Sequence, residues 1–157
     1  MPRILRFLVQ ALGLPVPAVS YRANADADQT RHYSVTVLLN VTTGPTGEDL
    51  SFLGYQHGQP LAQAEVVGDG PLVLTVKAPN PDVAADYVFL IGNGNGADEY
   101  GRSWPSGVRA VSVGDVLRIT APDGRTLYLA VASDQLRPVD APTNIVPLLG
   151  SSATNHL

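Results

Sequence analysis

Alternating apolar and polar residues predict the first strand of the protein over His32–Val41. The apolar positions of this run recur at every second residue, as in a strand with one buried face. Leu50–Gln56, Leu61–Val67 and Leu72–Lys77 are predicted as further strands, and a Gly-Asp-Gly-Pro turn signal separates the last two. We therefore expect these last two strands to pair as a hairpin within an antiparallel meander.

A helical pattern follows the predicted hairpin. Asn80 is a residue type that caps helices, and Pro81 suits the first helical position. The apolar residues that follow are spaced to share one helical face, and Gly92 ends the pattern: Val83, Ala84, Tyr87, Val88 and Ile91. We expect this helix to pack across the sheet. Because short apolar runs fit either structure, a strand over Tyr87–Ile91 is the alternative.

The best-defined β element is a hairpin within Val111–Ala132. Two strands, Val116–Thr120 and Thr126–Ala132, flank a turn that contains Pro, Asp and Gly. Their apolar residues can face one another across the hairpin: Leu117 and Ile119 against Leu127, Leu129 and Val131. Each buried side chain of this kind contributes roughly 1.5 to 3 kcal/mol, so we expect this hairpin to be firmly anchored.

The two ends of the chain differ from its centre. Met1–Leu12 has helical spacing of its apolar residues, and Leu14–Pro17 then forces an extended connector because it contains two prolines. Basic residues before an apolar stretch also occur in secretory signals, but Gln10 interrupts the apolar region, so a docking or packing helix is favoured. After Arg137, prolines and serines predict an irregular tail.

These patterns predict an α+β fold that is mainly β. We expect an antiparallel meander, small barrel or sandwich with one packed helix and an N-terminal amphipathic helix. The expected organisation is an arm and connector over residues 1–19, a single mainly β domain over 20–137 and an irregular tail over 138–157.

Composition narrows the functional classes. Of the 157 residues 45% are hydrophobic and only 15% are charged, which is typical of a folded chain. The net charge of -4, with few and scattered basic residues, disfavours nucleic-acid binding. No cysteine is present, which excludes disulfides and thiolate chemistry, and no apolar run reaches the roughly 20 residues that a membrane-spanning helix needs.

No motif predicts a metal or cofactor site. The glycine- and asparagine-rich segment 92–96 lacks the strand and helix context of a dinucleotide motif and the Lys-Ser/Thr pair of a phosphate loop. Residues 24–35 begin like a calcium loop but lack its glycine and its final glutamate. The three histidines, His32, His57 and His156, have no second ligand at motif spacing.

Three carboxylates are the remaining candidates for catalysis. Asp98 and Glu99 precede Asp115 in the chain, and carboxylates that meet can perform acid–base chemistry. Asp115 also has a sufficient structural role, since a Gly-Asp pair where a strand begins gives a permissive backbone and a side chain that bonds nearby N–H groups. We therefore expect no catalytic residue and rank a hydrolase last.

Two surfaces and the C-terminal tail are candidates for binding a protein partner. The first is the apolar face of the N-terminal helix, carried by Ile4, Leu5, Phe7, Leu8 and Leu12. The second is the loop around Trp104, the only tryptophan, with Arg102 beside it. The alternative for Trp104 is an aromatic side chain tucked over the core.

Four segments in the second half of the chain resemble a family of small proteins from actinobacteria and their phages. They are Val88–Asn93, Glu99–Tyr100, Arg109–Val116 and Leu136–Val139. The third corresponds to the Arg-Ser-Leu-Ser-Val-Gly-Asp-Val motif of that family. The resemblance implies an origin in a mobile element or its actinobacterial host, and it implies no catalytic residue, because the family brings no activity with it.

The sequence thus favours a non-enzymatic protein-interaction module without cofactor or metal. A virion structural protein, such as a decoration, head or tail component, is the alternative. The expected partners are proteins, including further copies of the chain or a virion assembly. The expected location is the host cytoplasm or the virion.

Overall fold

The central strand of the protein, β1 (Arg31–Asn40), is paired along both of its edges. The computed structural model describes residues 30–148. In this part of the chain one helix, α1 (Pro81–Ile91), and a short 3-10 helix (Ser51–Leu53) accompany the strands. The other strands are β2 (Leu61–Gln63), β3 (Glu65–Val66), β4 (Gly70–Pro71), β5 (Val73–Ala78), β6 (Val116–Thr120), β7 (Thr126–Val131), β8 (Leu136–Val139) and β9 (Ile145–Val146).

One edge of β1 is shared by two strands that lie end to end. Leu39 of β1 pairs with Ala62 of β2, whereas Val35 pairs with Leu74 of β5, both antiparallel. The chain between β2 and β5 leaves the sheet as the small β3–β4 ribbon, and the Leu72 N–H bonds the Ala64 carbonyl where it returns (2.8 Å). The two segments Leu61–Val67 and Leu72–Lys77 were predicted to pair with each other as a hairpin. This prediction is wrong for β2 and β5, because both pair with β1, and only the short β3–β4 ribbon forms a hairpin.

The segment Leu50–Gln56 is not the strand that its apolar residues predicted. It begins with the 3-10 helix, where the Ser51 N–H bonds Asp49 Oδ1 (2.8 Å) and the Gly54 N–H bonds the Ser51 carbonyl (3.1 Å). Gly54 has φ 103°, a conformation that turns the chain. The backbone N–H groups of Ser51 and Gly54 are thus bonded locally and are not available for pairing with a neighbouring strand.

The predicted C-terminal hairpin is confirmed. Leu117 pairs with Leu129 and Ile119 with Leu127, as their spacing predicted. β8 continues the meander beside β7, and β9 pairs parallel with β2 at the far edge, so the sheet order is β8-β7-β6-β1-β2-β9. The sheet is therefore mixed, and it extends past Arg137 into the segment for which an irregular tail was expected.

Helix α1 covers one face of the sheet and is also confirmed. Asn80 Oδ1 accepts from the Val83 N–H (2.9 Å), Pro81 is the first helical residue, and the helix ends at Gly92. The strand alternative for Tyr87–Ile91 is wrong. Helix and sheet bury a continuous core, whose larger members are Tyr33, Val35, Val37, Leu39, Leu72, Leu74, Val76, Val88, Ile91, Val111, Leu117, Ile119, Leu129, Val131 and Leu136.

A smaller apolar cluster lies on the opposite face. Tyr55, from the loop after the 3-10 helix, packs against Leu38, Leu61, Val116 and Ala130. From Val35 to Asn40, β1 is therefore buried on both faces, whereas Arg31, His32 and Ser34 are exposed. This second layer encloses the end of β1 and the beginning of β6.

The α+β, mainly β class is confirmed. The predicted N-terminal helix lies outside the described residues, as does the chain after Leu148. No helix between residues 30 and 148 is long and apolar enough to cross a membrane.

Candidate functional site

The Asp115 carboxylate lies fully buried between the end of β1 and the start of β6. Oδ1 accepts from the Asn40 N–H (2.8 Å) and Arg109 Nη2 (2.7 Å). Oδ2 accepts from Arg109 Nη1 (2.8 Å) and the Ser112 N–H (2.9 Å). We call Asn40, Arg109, Ser112 and Asp115 the Asp115 cluster; its centre is a bidentate ion pair, the strongest arrangement of these two groups.

Arg109 and Asn40 extend this cluster into the surrounding chain. Arg109 Nη2 also donates to the Asn40 carbonyl (2.9 Å), and Asn40 Nδ2 donates to the Gly114 carbonyl and Gln59 Oε1 (both 3.0 Å). The hydrogen bonds to Asp115 raise the pKa of Arg109, although partial burial opposes them. The cluster thus joins loops before β2 and β6 to the end of β1.

Gly114 brings the 3-10 helix against this cluster. Its φ is 98°, and a Cβ placed on it would lie 2.0 Å from the Ser51 carbonyl oxygen. Only glycine fits this close approach of two backbone segments. The contact fixes the position of Ser51 and therefore of the two residues that follow it.

A second buried carboxylate, Asp98, closes the outer edge of β5. Oδ2 accepts from the Thr75 N–H (2.8 Å), and Oδ1 accepts from the N–H groups of Tyr100 (2.9 Å) and Arg102 (2.8 Å). The Glu99 N–H bonds the Thr75 carbonyl (2.9 Å), which completes the pairing of that edge residue. We call Thr75, Asp98, Tyr100 and Arg102 the Asp98 cluster.

These bonds decide what the two carboxylates can do chemically. The side chains of Asp98 and Asp115 have no exposed surface, and the four contacts of Asp115 fill the lone-pair positions of a carboxylate. Neither group is placed to take a proton from a substrate. The two lie in separate hydrogen-bond networks, so the structure gives no geometric support to an acid–base pair, the hypothesis that was ranked last.

The predicted interaction loop is partly engaged with the protein itself. Trp104 is half-buried against the core, and its Nε1 donates to the carbonyls of Val108 (3.1 Å) and Arg109 (3.0 Å). Arg102 lies over the Tyr100 ring at 5.3 Å, is 3.9 Å from Asp98 Oδ2, and donates to the Val73 carbonyl. The other predicted binding residues lie outside the described chain: Ile4, Leu5, Phe7, Leu8 and Leu12.

Two exposed apolar residues that the sequence did not single out follow Ser51. The side chains of Phe52 and Leu53 are 63% and 69% exposed. The predicted strand would have placed the two side chains on opposite faces of a sheet, so it did not indicate that both are exposed. The signal was available in the segment itself, because Asp49 can bond the N–H two residues ahead and Gly54 can end a turn.

No group of three histidine, aspartate or glutamate residues within residues 30–148 could hold a metal ion. His32 and His57 are exposed, and His156 lies beyond the described residues. Comparison of the chain with protein-family models, with curated proteins and with solved structures finds no match.

Proposed function

We propose that this chain is a non-enzymatic protein-binding module that docks through Phe52 and Leu53. The observation that carries the proposal is the exposure of two adjacent large apolar side chains on a backbone segment held by hydrogen bonds. Aromatic and aliphatic side chains of this kind are the usual anchors of protein interfaces.

Rigidity of the Phe52–Leu53 pair supports this function. The Leu50 N–H bonds the Thr42 carbonyl (3.0 Å), and Ser51 is buried beneath the pair against Gly114. A binding partner would therefore have little backbone freedom to immobilise, which lowers the entropic cost of association.

Two acidic residues that precede the pair in the chain, Glu48 and Asp49, indicate the chemistry of the partner. Hydrogen bonding to Ser51, through its side chain and then its backbone, lowers the pKa of Asp49, and the charge of Arg109 acts in the same direction. Hydrogen bonding to Thr46 lowers the pKa of Glu48. Both groups are anionic at neutral pH, so the partner we propose has an apolar pocket with basic groups at its rim.

Site-specific photo-crosslinking in the native host tests the proposal. A benzophenone amino acid in place of Leu53 is expected to form a discrete adduct that disappears with Phe52→Ser. Val67 provides a matched control, since it is an apolar residue that is 98% exposed at the tip of the β3–β4 ribbon. The same crosslinker at position 67 is expected to form no adduct.

The purified partner then gives a quantitative readout. Loss of an aromatic anchor costs about 2 kcal/mol or more, so Phe52→Ser should weaken binding about 30-fold, whereas Val67→Ser should leave it unchanged. Equal affinities of wild type and Phe52→Ser would overturn the proposal. Adducts between copies of the chain, with concentration-dependent sedimentation, would overturn the proposed binding of a different protein and identify a second copy of the chain as the partner.

A further inference from the structure

Two identical tripeptides follow helix α1, and their asparagines make different hydrogen bonds in the structure. Gly92-Asn93-Gly94 and Gly94-Asn95-Gly96 have the same local sequence, and these are the only Asn-Gly pairs in the chain. Asparagine before glycine is prone to lose its side-chain amide nitrogen, because the following backbone nitrogen is unhindered and can attack the side chain. Local sequence alone therefore assigns both asparagines the same reactivity.

Asn93 is held in a conformation that prevents this attack. Its Nδ2 donates to the carbonyls of Phe89 (2.8 Å) and Val111 (3.2 Å), which fixes the side chain between helix and loop. The backbone N–H of Gly94, the nitrogen that would attack, donates to the Ile91 carbonyl (2.9 Å). Three hydrogen bonds must break before the reaction at Asn93 can begin.

Asn95 has almost none of this protection. Its Nδ2 makes one long contact, 3.3 Å to the Asn93 carbonyl, which lies beyond the usual range of an N–H···O bond. The Gly96 N–H has no acceptor in the part of the chain that the structure describes, and both residues are exposed to water. Gly94 and Gly96 both lack a side chain that would crowd the attacking nitrogen, so the difference between the two sites lies in these hydrogen bonds.

We infer that Asn95 is a site of spontaneous deamidation, whereas Asn93 is protected. The Gly96 nitrogen loses its proton and bonds to Cγ of Asn95, the Cγ–Nδ2 bond breaks, and Nδ2 leaves as ammonia. Water then opens the resulting succinimide at either carbonyl and gives aspartate or isoaspartate. The new carboxylate would lie on the wall of a cavity of about 540 Å³ that Lys77 and Glu99 also line.

Peptide mapping of the aged full-length protein tests this inference. The protein is incubated in mildly alkaline water labelled with heavy oxygen and is then digested with trypsin. The tryptic peptide 78–102 contains both asparagines. Electron-transfer fragmentation of this peptide assigns the labelled product to position 93 or 95. Because each protecting bond that must break adds to the barrier, we expect deamidation at Asn95 to be about tenfold faster or more.

The isolated peptide 78–102 is the internal control. Without the fold, the two Gly-Asn-Gly sites should react at equal rates, and Asn95→Gln in the full chain should remove the fast reaction only. Equal rates in the folded protein, a faster reaction at Asn93, or no reaction at Asn95 while the peptide reacts would each overturn the inference.

Discussion

The Asp115 and Asp98 clusters solve the same problem, a buried carboxylate, in two ways. Asp115 is neutralised by a bidentate Arg109 and adds two backbone N–H groups. Asp98 relies on three backbone N–H groups, and the Arg102 guanidinium lies 3.9 Å from it, compared with 2.7 Å between Arg109 and Asp115. The first joins segments far apart in sequence at the centre of the sheet, whereas the second folds a local loop onto one edge. A buried carboxylate thus joins distant segments in one cluster and fixes a loop to a strand edge in the other.

The largest difference between the clusters is expected from replacing each carboxylate by its amide. In Asp115→Asn an amide nitrogen must face two N–H donors whichever way it is oriented, and Arg109 loses its counter-charge. Removing one partner of a buried ion pair costs about 3–5 kcal/mol, and we expect the lower end of this range because the Arg109 side chain is 36% exposed. In Asp98→Asn the oxygen can keep the Tyr100 and Arg102 bonds, so we expect about 1–3 kcal/mol.

Urea unfolding of both variants measures these losses. The difference between them isolates the contribution of the arginine, because both substitutions remove one negative charge from a fully buried site. Equal losses, or a larger loss for Asp98→Asn, would break the comparison.

Two glycines sharpen the comparison at the level of packing. Gly114, beside Asp115, and Gly101, beside Asp98, have similar positive φ values of 98° and 80°. A Cβ at Gly114 would meet the Ser51 carbonyl at 2.0 Å, whereas a Cβ at Gly101 would meet nothing within 4 Å. Gly101→Ala should therefore cost only backbone strain, about 1 kcal/mol, and Gly114→Ala should cost about 2 kcal/mol or more beyond that.

Thermal unfolding and the solvent exposure of residues 49–54 by amide exchange provide the measurements. Gly114→Ala is expected to release this segment, because Ser51 can no longer pack against the turn before β6. If the two alanine variants have the same stability and the same exchange, Gly114 is not the support of the Phe52–Leu53 pair.

The smallest effect is expected from Asp49, at the rim of the Asp115 cluster. Its pKa is lowered in the folded protein by Ser51 and by Arg109, so its ionised form stabilises the fold. This contribution is present above the unfolded pKa near 3.8 and is lost as pH falls through the folded value. Asp49→Asn should cost less than about 1 kcal/mol at neutral pH, because the side chain is exposed.

Denaturant titrations across acidic pH measure this effect. The stabilities of wild type and Asp49→Asn should converge as pH falls below the lowered pKa. A constant difference at all pH values would show that Asp49 acts by shape rather than by charge.

Elements with strong local signals were predictable. α1 has its cap at Asn80, its proline at the first position and its end at Gly92, and β6 and β7 have alternation around a turn. In the Asp115 cluster, the prediction that Asp115 bonds a nearby backbone N–H is confirmed at Ser112. Its bond to Asn40 was not predicted, because 75 residues separate the two, and its ion pair with Arg109, six residues before it, follows from no local spacing rule.

Elements whose partners are distant were not predictable. β2 and β5 carry apolar residues suited to pairing with each other, but β1 offers both of them a longer buried surface. β9 is two residues long and pairs with the edge of β2 that β1 leaves free. Periodicity says which face of a strand is apolar and is silent on which strand lies beside it.

The sequence by itself determined the mainly β class, the helix over 81–91, the C-terminal hairpin and the absence of thiolate chemistry. Each of these depends on residue types, on spacing within one segment or on composition. Tertiary structure alone decided that Asp98 and Asp115 are enclosed, that Phe52 and Leu53 are exposed together, and that Asn93 and Asn95 differ. Burial and hydrogen bonding depend on neighbours from distant parts of the chain, and these neighbours come together only when all strands of the sheet have paired.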